Sequence, residues 1–330
     1  MSTPSQQILS MGFGFALSQS LRVVAELSIA DLLAGGERSA DELAEATRTN
    51  ADALYRVMRL LASEGVFREV SHRRFVQTEL SAALRSDLQS SPRDFIRMIN
   101  GEAFQAFAQL SYSVQTGKPA FDQVFGAPRF EWLGAHPEQA ALFQRGMIAL
   151  SQGSNEAVAD AYDFSASRCV VDVGGGHGQL LSAILARNAH LHGVLFDLPS
   201  GIAAARTAAG GPLPRSELVA GNFFESVPPA DTLVLKKVIH DWDDERAAAI
   251  LRNCRKAMAS NGRILLAETI IPAGNDPALI KAIDVTMLAV PGGLERTESQ
   301  YAELLSLAGL RLERVIATKA PISILEARLA

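Results

Sequence analysis

Apolar residues recur at helical spacing through the first part of the chain and gather into short strand-like runs through the second. From Ile8 to Leu33, the spacing of Leu17, Leu21, Val24 and Leu27 predicts helix, stopped by Gly35-Gly36. In Ser39-Ala40-Asp41-Glu42-Leu43-Ala44, Glu42 stands three residues after Ser39, the spacing at which a serine and a glutamate cap each other's backbone. A helix is predicted from about Ala51 to Glu64, closed by Gly65, and Val66 to Val70 with Arg74 to Val76 reads as a short hairpin. Two more long helical patterns run from Ser91 to Gly117 and from Pro137 to Ala161. Between them, Gly117-Lys118-Pro119 and Gly126-Ala127-Pro128 mark loops.

From Ser165 onward strands and helices alternate. Strands are predicted at 168–173, 192–196, 216–220, 231–237 and 262–268, and helices at 178–188, 199–208, 243–259 and 298–308. Two closing strands follow, Arg311 to Ala317 and Ile322 to Arg328. Such alternation predicts an α/β fold: a Rossmann-like, doubly wound, mostly parallel seven-stranded sheet covered on both faces. The chain thus divides into a mainly helical domain, 1–162, and an α/β domain, 163–330. In the first, helix, helix and two-stranded wing form the winged-helix pattern.

Composition narrows the function. The 330 residues are 48% hydrophobic, ample for two buried cores, and the net charge of −5 argues against a duplex-binding protein. The helix Asp52 to Glu64 that would enter a groove carries Arg56 and Arg59 but also two acids. Cys169 and Cys254 both sit in apolar patterns and read as buried thiols of a reducing compartment. The first residues lack the basic segment of a signal peptide, and no apolar run approaches the ~20 residues of a membrane span. A cytoplasmic protein, with no nucleic-acid or membrane partner, is expected.

The chemistry concentrates where strands end. Val170-Val171-Asp172-Val173 runs into Gly174-Gly175-Gly176-His177-Gly178 and then a helix. Glycines allow a sharp turn and close ligand approach, and a helix start offers unpaired N–H groups. The next strand ends in Asp197, about 20 residues on, where an acid usually meets ribose hydroxyls. The G-x-G-x-x-G spacing fails at Gln179 and no phosphate-binding G-x-x-x-x-G-K-[ST] occurs, so a nucleoside ligand without pyrophosphate fits best. Ligands of parallel sheets bind at the carboxyl ends of strands, which puts Gly174 to Gly178, Asp197, Asn222, His240 and Glu268 along one rim.

A further strand, Val234-Leu235-Lys236-Lys237-Val238-Ile239, leads into His240-Asp241-Trp242-Asp243-Asp244-Glu245. Together with Asp172–Gly178, this resembles the class I S-adenosylmethionine-dependent O-methyltransferases of the plant caffeate/flavonoid type and their bacterial small-molecule relatives. Leu266-Ala267-Glu268-Thr269-Ile270-Ile271-Pro272 fits that family's next strand and first glutamate. Asp284-Val285-Thr286-Met287-Leu288 and Gly292-Gly293-Leu294-Glu295-Arg296-Thr297 fit its later motif and second glutamate. Gly117, Phe121, Phe125-Gly126 and Phe143 through Met147 fit its helical substrate region, so the match covers nearly the whole chain.

The resemblance implies S-adenosylmethionine as cofactor, S-adenosylhomocysteine as product, no metal, and a homodimer built through the N-terminal helices. It implies cofactor contacts from Ser151, Asp172, Gly174, Gly175, Gly176, Asp197, Leu198, Asn222, Phe223, Lys236 and Trp242. The catalytic set is His240 as general base, Glu268 on the other ring nitrogen, and Glu295 flanking the ring. A histidine with its reference pKa of about 6.5 is largely neutral at pH 7 and suits this task. Phe104, Phe107, Phe143, Met147, Leu150, Asp241 and Met287 match substrate-lining positions. Asp243, Asp244 and Glu245 read as acids favoured at a helix start rather than metal ligands. The sequence departs from the family at Asn222, where Asp is usual, and in a shortened Ala289-Val290-Pro291-Gly292 segment lacking a substrate-contacting asparagine. The expected acceptor is accordingly a flat aromatic or polyketide-like phenol of bacterial secondary metabolism. The rival expectations are non-methyl-transfer chemistry on the same fold, an N-methyltransferase, and a winged-helix DNA-binding regulator.

Overall fold

The computed structural model describes residues 3–151, 153–207 and 213–330. Contacts divide the chain into two units: Met1–Leu110 with Phe121–Gln152, and Ser111–Ala120 with Gly153–Ala330. The boundary read from the sequence lies at 162/163; the contact division falls at 152/153, because the helix Ser154–Ala161 packs on the helix Gln179–Arg187 of the second unit.

In the first unit, helices Pro4–Gly12, Gly14–Glu26 and Ile29–Leu33 occupy the stretch predicted from Ile8 to Leu33. Ser39 and Glu42 cap one another as their spacing requires: Glu42 N–H donates to Ser39 Oγ at 3.1 Å and Ser39 N–H to Glu42 Oε2 at 2.6 Å. Helices Ala40–Thr47 and Ala51–Ser63 follow. The hairpin is present and gains a third strand: β1 (Arg38–Ser39), β2 (Phe67–Ser71) and β3 (Arg74–Gln77) form a sheet in the order β1-β3-β2. Leu33, Leu43, Leu54, Met58, Leu61, Phe67 and Phe75 make its core.

The two later helical patterns are broken. The stretch from Ser91 to Gly117 becomes Arg93–Ile99, Glu102–Phe107 and Leu110–Thr116. The first break falls at Gly101, where a Cβ would stand 2.9 Å from the Arg97 carbonyl oxygen. The stretch from Pro137 to Ala161 becomes Pro137–Ser151 and Ser154–Ala161, interrupted by Gly153 at φ 78°.

One expectation is overturned at the N-terminus. The 23-residue helical stretch Pro4–Glu26 holds an 18-residue window with a mean hydropathy of 1.3, and is long and apolar enough to cross a membrane by length and composition. Ser and Gln interrupt the apolar residues of this stretch without adding charge before Arg22, so its apolar character is spread along the helix and not gathered in one run.

The second unit is built on a seven-stranded sheet of β4 (Cys169–Val173), β5 (His192–Asp197), β6 (Ser216–Ala220), β7 (Ala230–Lys236), β8 (Met258–Glu268), β9 (Leu310–Ala317) and β10 (Ser323–Leu329). Its order is β6-β5-β4-β7-β8-β10-β9, parallel from β6 to β8, with β10 antiparallel to both its neighbours. Apolar residues fill both faces of the central strands, which is why they read as unbroken runs in the sequence. The chain winds outward from β4 through β5 to β6, then returns to β7 on the other side. The crevice at this reversal opens beyond the carboxyl ends of β4 and β7. Each predicted helix is present, as Gln179–Arg187, Pro199–Thr207, Asp244–Ala257 and Glu298–Leu307; residue 208, predicted in the second, lies outside the described residues. The helix Leu279–Ala289 escaped the sequence reading, having no side-chain N-cap bond and a nearly all-apolar sequence without a polar stripe.

Candidate active site

The glycine turn after β4 is held by its own geometry. Gly174, Gly176 and Gly178 have φ of 69°, 55° and 75°, a region costly for other residues. A Cβ on Gly175 would stand 2.5 Å from Leu195 Cδ1 and 2.6 Å from the Asp172 carboxylate, so the turn lies flat on β4 and β5 only as glycine. A Cβ on Gly176 would meet nothing within 4 Å, so open space lies before it. Asp197, at the end of β5, reaches the turn: Gly176 N–H donates to Oδ2 at 2.8 Å and Leu198 N–H to Oδ1 at 2.7 Å.

Asp172 is buried beneath the turn, and its Oδ2 has no hydrogen-bond partner. Burial pushes its pKa up to about 7, against the pull of the nearby Lys236 ammonium. Lys236 Nζ donates to Ser154 Oγ at 3.2 Å, and burial lowers its own pKa. Past β6, Asn222 Oδ1 accepts from Phe224 N–H at 3.0 Å and shapes the turn that presents Phe223. The Phe223 ring edge lies 3.6 Å from where a Gly174 Cβ would be, and its centroid is 6.1 Å from that of Trp242. A glycine cradle, an unpaired buried carboxylate oxygen, a half-buried carboxylate at the next strand end and an aromatic wall suit a nucleoside bearing an amino acid. Asp172, Gly174, Gly175, Gly176, Asp197, Leu198, Asn222, Phe223, Lys236 and Trp242 all lie in the second unit, at or just beyond the carboxyl ends of its parallel strands.

The second cluster follows β7. A 3₁₀ turn, Ile239–Asp241, carries His240, whose Nδ1 lies 2.8 Å from Glu295 Oε1. Nε2 lies 3.6 Å from Asp241 Oδ1. Glu268, at the end of β8, accepts from Val238 N–H at 3.2 Å and Ile239 N–H at 3.0 Å through Oε1, while its Oε2 is buried without a partner. The two glutamates therefore exchange the parts expected of them: Glu295 holds the ring nitrogen, and Glu268 secures the backbone of the turn. The reason is positional, since Glu268 ends its strand behind the turn whereas the Leu294 to Thr297 loop runs alongside the ring.

The ring's protonation also departs from expectation. Burial lowers the His240 pKa, but Asp241, Glu268 and the Glu295 hydrogen bond outweigh it and lift the pKa to about 9. In the free protein the imidazole is thus mostly charged at pH 7. Burial opposes ionisation of Glu295, yet His240, Lys237 and Arg296 hold its carboxyl below the usual range. Glu268, with burial dominant, is raised.

The sequence marks several residues of this cluster only as parts of a family motif or of a helix start. Arg296, fully buried, binds Asp244 Oδ1 through Nε and Nη2 at 3.0 and 2.7 Å, and reaches the carbonyls of Ile239, Leu294 and Trp242. It ties the loop bearing Glu295 to the turn bearing His240. Leu294 N–H donates to the His240 carbonyl at 2.8 Å, and a Cβ on Gly293 would collide with that same oxygen. Asp284 Oδ1 accepts from Glu295 N–H at 3.0 Å. Asp243 caps the following helix by accepting from Arg246 N–H at 2.8 Å, so the acids after His240 are engaged in structure.

The remaining predicted residues lie apart in sequence and unit. Met287 is buried in the helix Leu279–Ala289 of the second unit. In the first unit, Phe104 and Phe107 are half-buried on the helix Glu102–Phe107. On the helix Pro137–Ser151, Phe143 is half-buried with the Arg129 guanidinium 5.3 Å from its ring, Met147 is half-buried, Leu150 is exposed, and Ser151 ends the helix.

Comparison with known proteins identifies the family. Residues 107–311 match the O-methyltransferase domain family, and residues 9–87 match the O-methyltransferase dimerisation domain. The chain is 41% identical over 327 residues to the phenazine O-methyltransferase PhzM of Lysobacter antibioticus, covering 98% of this chain and 96% of that protein. The structure of the mitomycin 7-O-methyltransferase MmcR superposes with a TM-score of 0.92 at 36% identity, covering 99% of this chain and 98% of that one. The S-adenosylhomocysteine-bound form of CalO1, a methyltransferase in calicheamicin biosynthesis, superposes with a TM-score of 0.87 at 37% identity over 100% of both chains. The chain belongs to the S-adenosylmethionine-dependent O-methyltransferase family, with that family's dimerisation domain at its N-terminus.

Proposed function

We propose that this enzyme methylates a hydroxyl of a small aromatic secondary metabolite, with His240 as the general base. S-adenosylmethionine, when bound, supplies an electrophilic methyl group on a sulfonium centre. The chain's part is to hold that donor and to take the acceptor's proton. Gly174, Gly175 and Gly176 would back the donor, Asp172 and Lys236 would meet its polar end, and Asp197 would take its ribose hydroxyls. Asn222, Phe223, Trp242 and Leu198 would receive the adenine; Ser151 enters this set by resemblance alone.

With Nδ1–H donated to an ionised Glu295, Nε2 is the nitrogen left to accept the hydroxyl proton. Glu295 then stabilises the imidazolium, and Glu268 and Arg296 keep the turn in place. The acceptor class is suggested by the relatives, enzymes named for phenazine and mitomycin substrates. Asp241 and Met287 are the second unit's contributions to acceptor binding in this reading; Phe104, Phe107, Phe143, Met147 and Leu150 are carried over by the resemblance alone. The same reading takes the protein as a cytoplasmic homodimer associating through its N-terminal helices; free Cys169 and Cys254 fit a reducing compartment.

The observation that carries the proposal is the buried 2.8 Å contact between His240 Nδ1 and Glu295. General-base assistance typically contributes ~10²–10⁴-fold. His240→Ala should lower kcat on a phenol or phenazine acceptor by at least ~10²-fold, while calorimetry shows S-adenosylhomocysteine bound as in the parent. Undiminished turnover in that variant removes the base assignment.

A further inference from the structure

The His240–Glu295 pair raises a difficulty. A base must surrender its proton before each turnover, yet Asp241, Glu268 and Glu295 all favour the charged ring. One cation stands against them at close range. Lys237 follows β7 directly, and its Nζ lies 3.8 Å from Glu295 Oε1, the same oxygen that faces His240 Nδ1. At that distance the contact is an ion pair and not a hydrogen bond. Glu295 is buried, and the Lys237 side chain is only 29% exposed, so the charge is partly shielded from water. The backbone carries a cost to achieve this: Lys237 sits at φ 56°, a left-handed conformation rare outside glycine, asparagine and aspartate. Strained conformations of this kind persist where the surroundings over-determine them, and they cluster at active sites. Here the N–H of Lys237 donates to the Ala267 carbonyl at 3.1 Å, which fixes the residue beside Glu268.

We propose that Lys237 is a positioning residue for the reaction: its ammonium shares Glu295 Oε1 with the His240 ring and so keeps the imidazole able to release its proton. Other charged neighbours of the pair come from the elements packed against it. Asp241 comes from the 3₁₀ turn, Glu268 from β8, and Arg296 from the loop after the helix Leu279–Ala289, which contributes Asp284. Tyr301 lies in the field of Glu268, Glu295 and Arg296 from the helix Glu298–Leu307. Both Lys237 and Arg296 bear on Glu295, but Arg296 is already bound to Asp244 and three carbonyls, so among the described residues Lys237 is the cation near Glu295 whose side chain has no stronger contact. The direction of its effect follows from sign: a positive charge beside the carboxylate weakens the hold on the imidazolium, and the His240 titration carries this lowering contribution from Lys237.

This inference rests on His240 being the base, and its test separates the two. The ring of His240 is titrated by NMR in the cofactor-free protein, assigned through His240→Gln, alongside pH profiles of kcat/KM. In Lys237→Gln both midpoints should move up by about half a pH unit or more, and Lys237→Arg should restore them. A merely structural role would lower activity at all pH values and leave the NMR midpoint in place. An unmoved or downward-moved midpoint in a folded Lys237→Gln protein overturns the inference, even if His240→Ala is inactive. If His240→Ala is fully active, the base reading fails, and the NMR midpoint alone judges the electrostatic coupling. Should Lys237→Gln unfold, Lys237→Met and Lys237→Asn, the latter suited to a left-handed backbone, give the same readout.

Discussion

His240 titrates well above an ordinary histidine because three acids surround it, and this has two consequences of opposite sign. For activity the neutral ring is needed, so kcat/KM in the free enzyme should climb with pH and level off only above about 9. For stability the charged ring is favoured. Its contribution is complete below the unfolded value near 6.5 and is lost as pH rises through about 9. Urea denaturation from pH 6 to pH 10 should therefore show a loss that His240→Gln flattens. Gly293 offers a second test at this scale. It packs against the His240 carbonyl where no Cβ fits, so Gly293→Ala must push the turn aside. A displacement near 1 Å can cost ~10²-fold in rate, and kcat should fall by about that factor with S-adenosylhomocysteine affinity unchanged.

At the scale of elements, the site depends on two loops that leave different parts of the fold. The 3₁₀ turn after β7 brings His240, and the loop before the helix Glu298–Leu307 brings Glu295. Arg296 joins them, mostly through backbone carbonyls. Replacing it with Met would leave the Leu294 and Trp242 carbonyls short of a donor, while the Ile239 carbonyl keeps the Trp242 N–H. Each unsatisfied buried group costs ~1–3 kcal/mol, so Arg296→Met should destabilise the second unit by about 2 kcal/mol or more. Asp244 is 61% exposed at its side chain, and Asp244→Ala should cost less than about 1 kcal/mol. Denaturation midpoints of the two variants would distinguish a backbone clamp from a simple ion pair. This clamp was not legible in the sequence. Arg296 stands beside Glu295 in an irregular segment, and nothing local indicates that a charged side chain there is buried. The glycine turn and Asp197 were legible because strand, turn and helix follow one another within 30 residues.

At the scale of the molecule, the N-terminal helices present Ile8, Leu9, Met11, Phe13 and Phe15 to solvent in the protomer, each more than half exposed. An apolar strip of this kind ordinarily marks an association surface, and the matched dimerisation domain begins at residue 9. Met11→Glu combined with Phe13→Asp should convert a dimer to monomers in sedimentation velocity, leaving the far-ultraviolet circular dichroism unchanged.

Local order in the chain determined much of this protein. Alternating periodicities fixed the sheet and most helices, while five motifs in order carried the family and the crevice beneath Gly174 to Gly178. Local rules act over a few residues, so these features survive reading in one dimension. Only the tertiary structure decided which glutamate holds His240, how the ring is charged, where the long helices break and what ties the two loops together. Those outcomes depend on burial and on charges distant in sequence, as His240 and Glu295 are, and neither is set until the chain has closed around them.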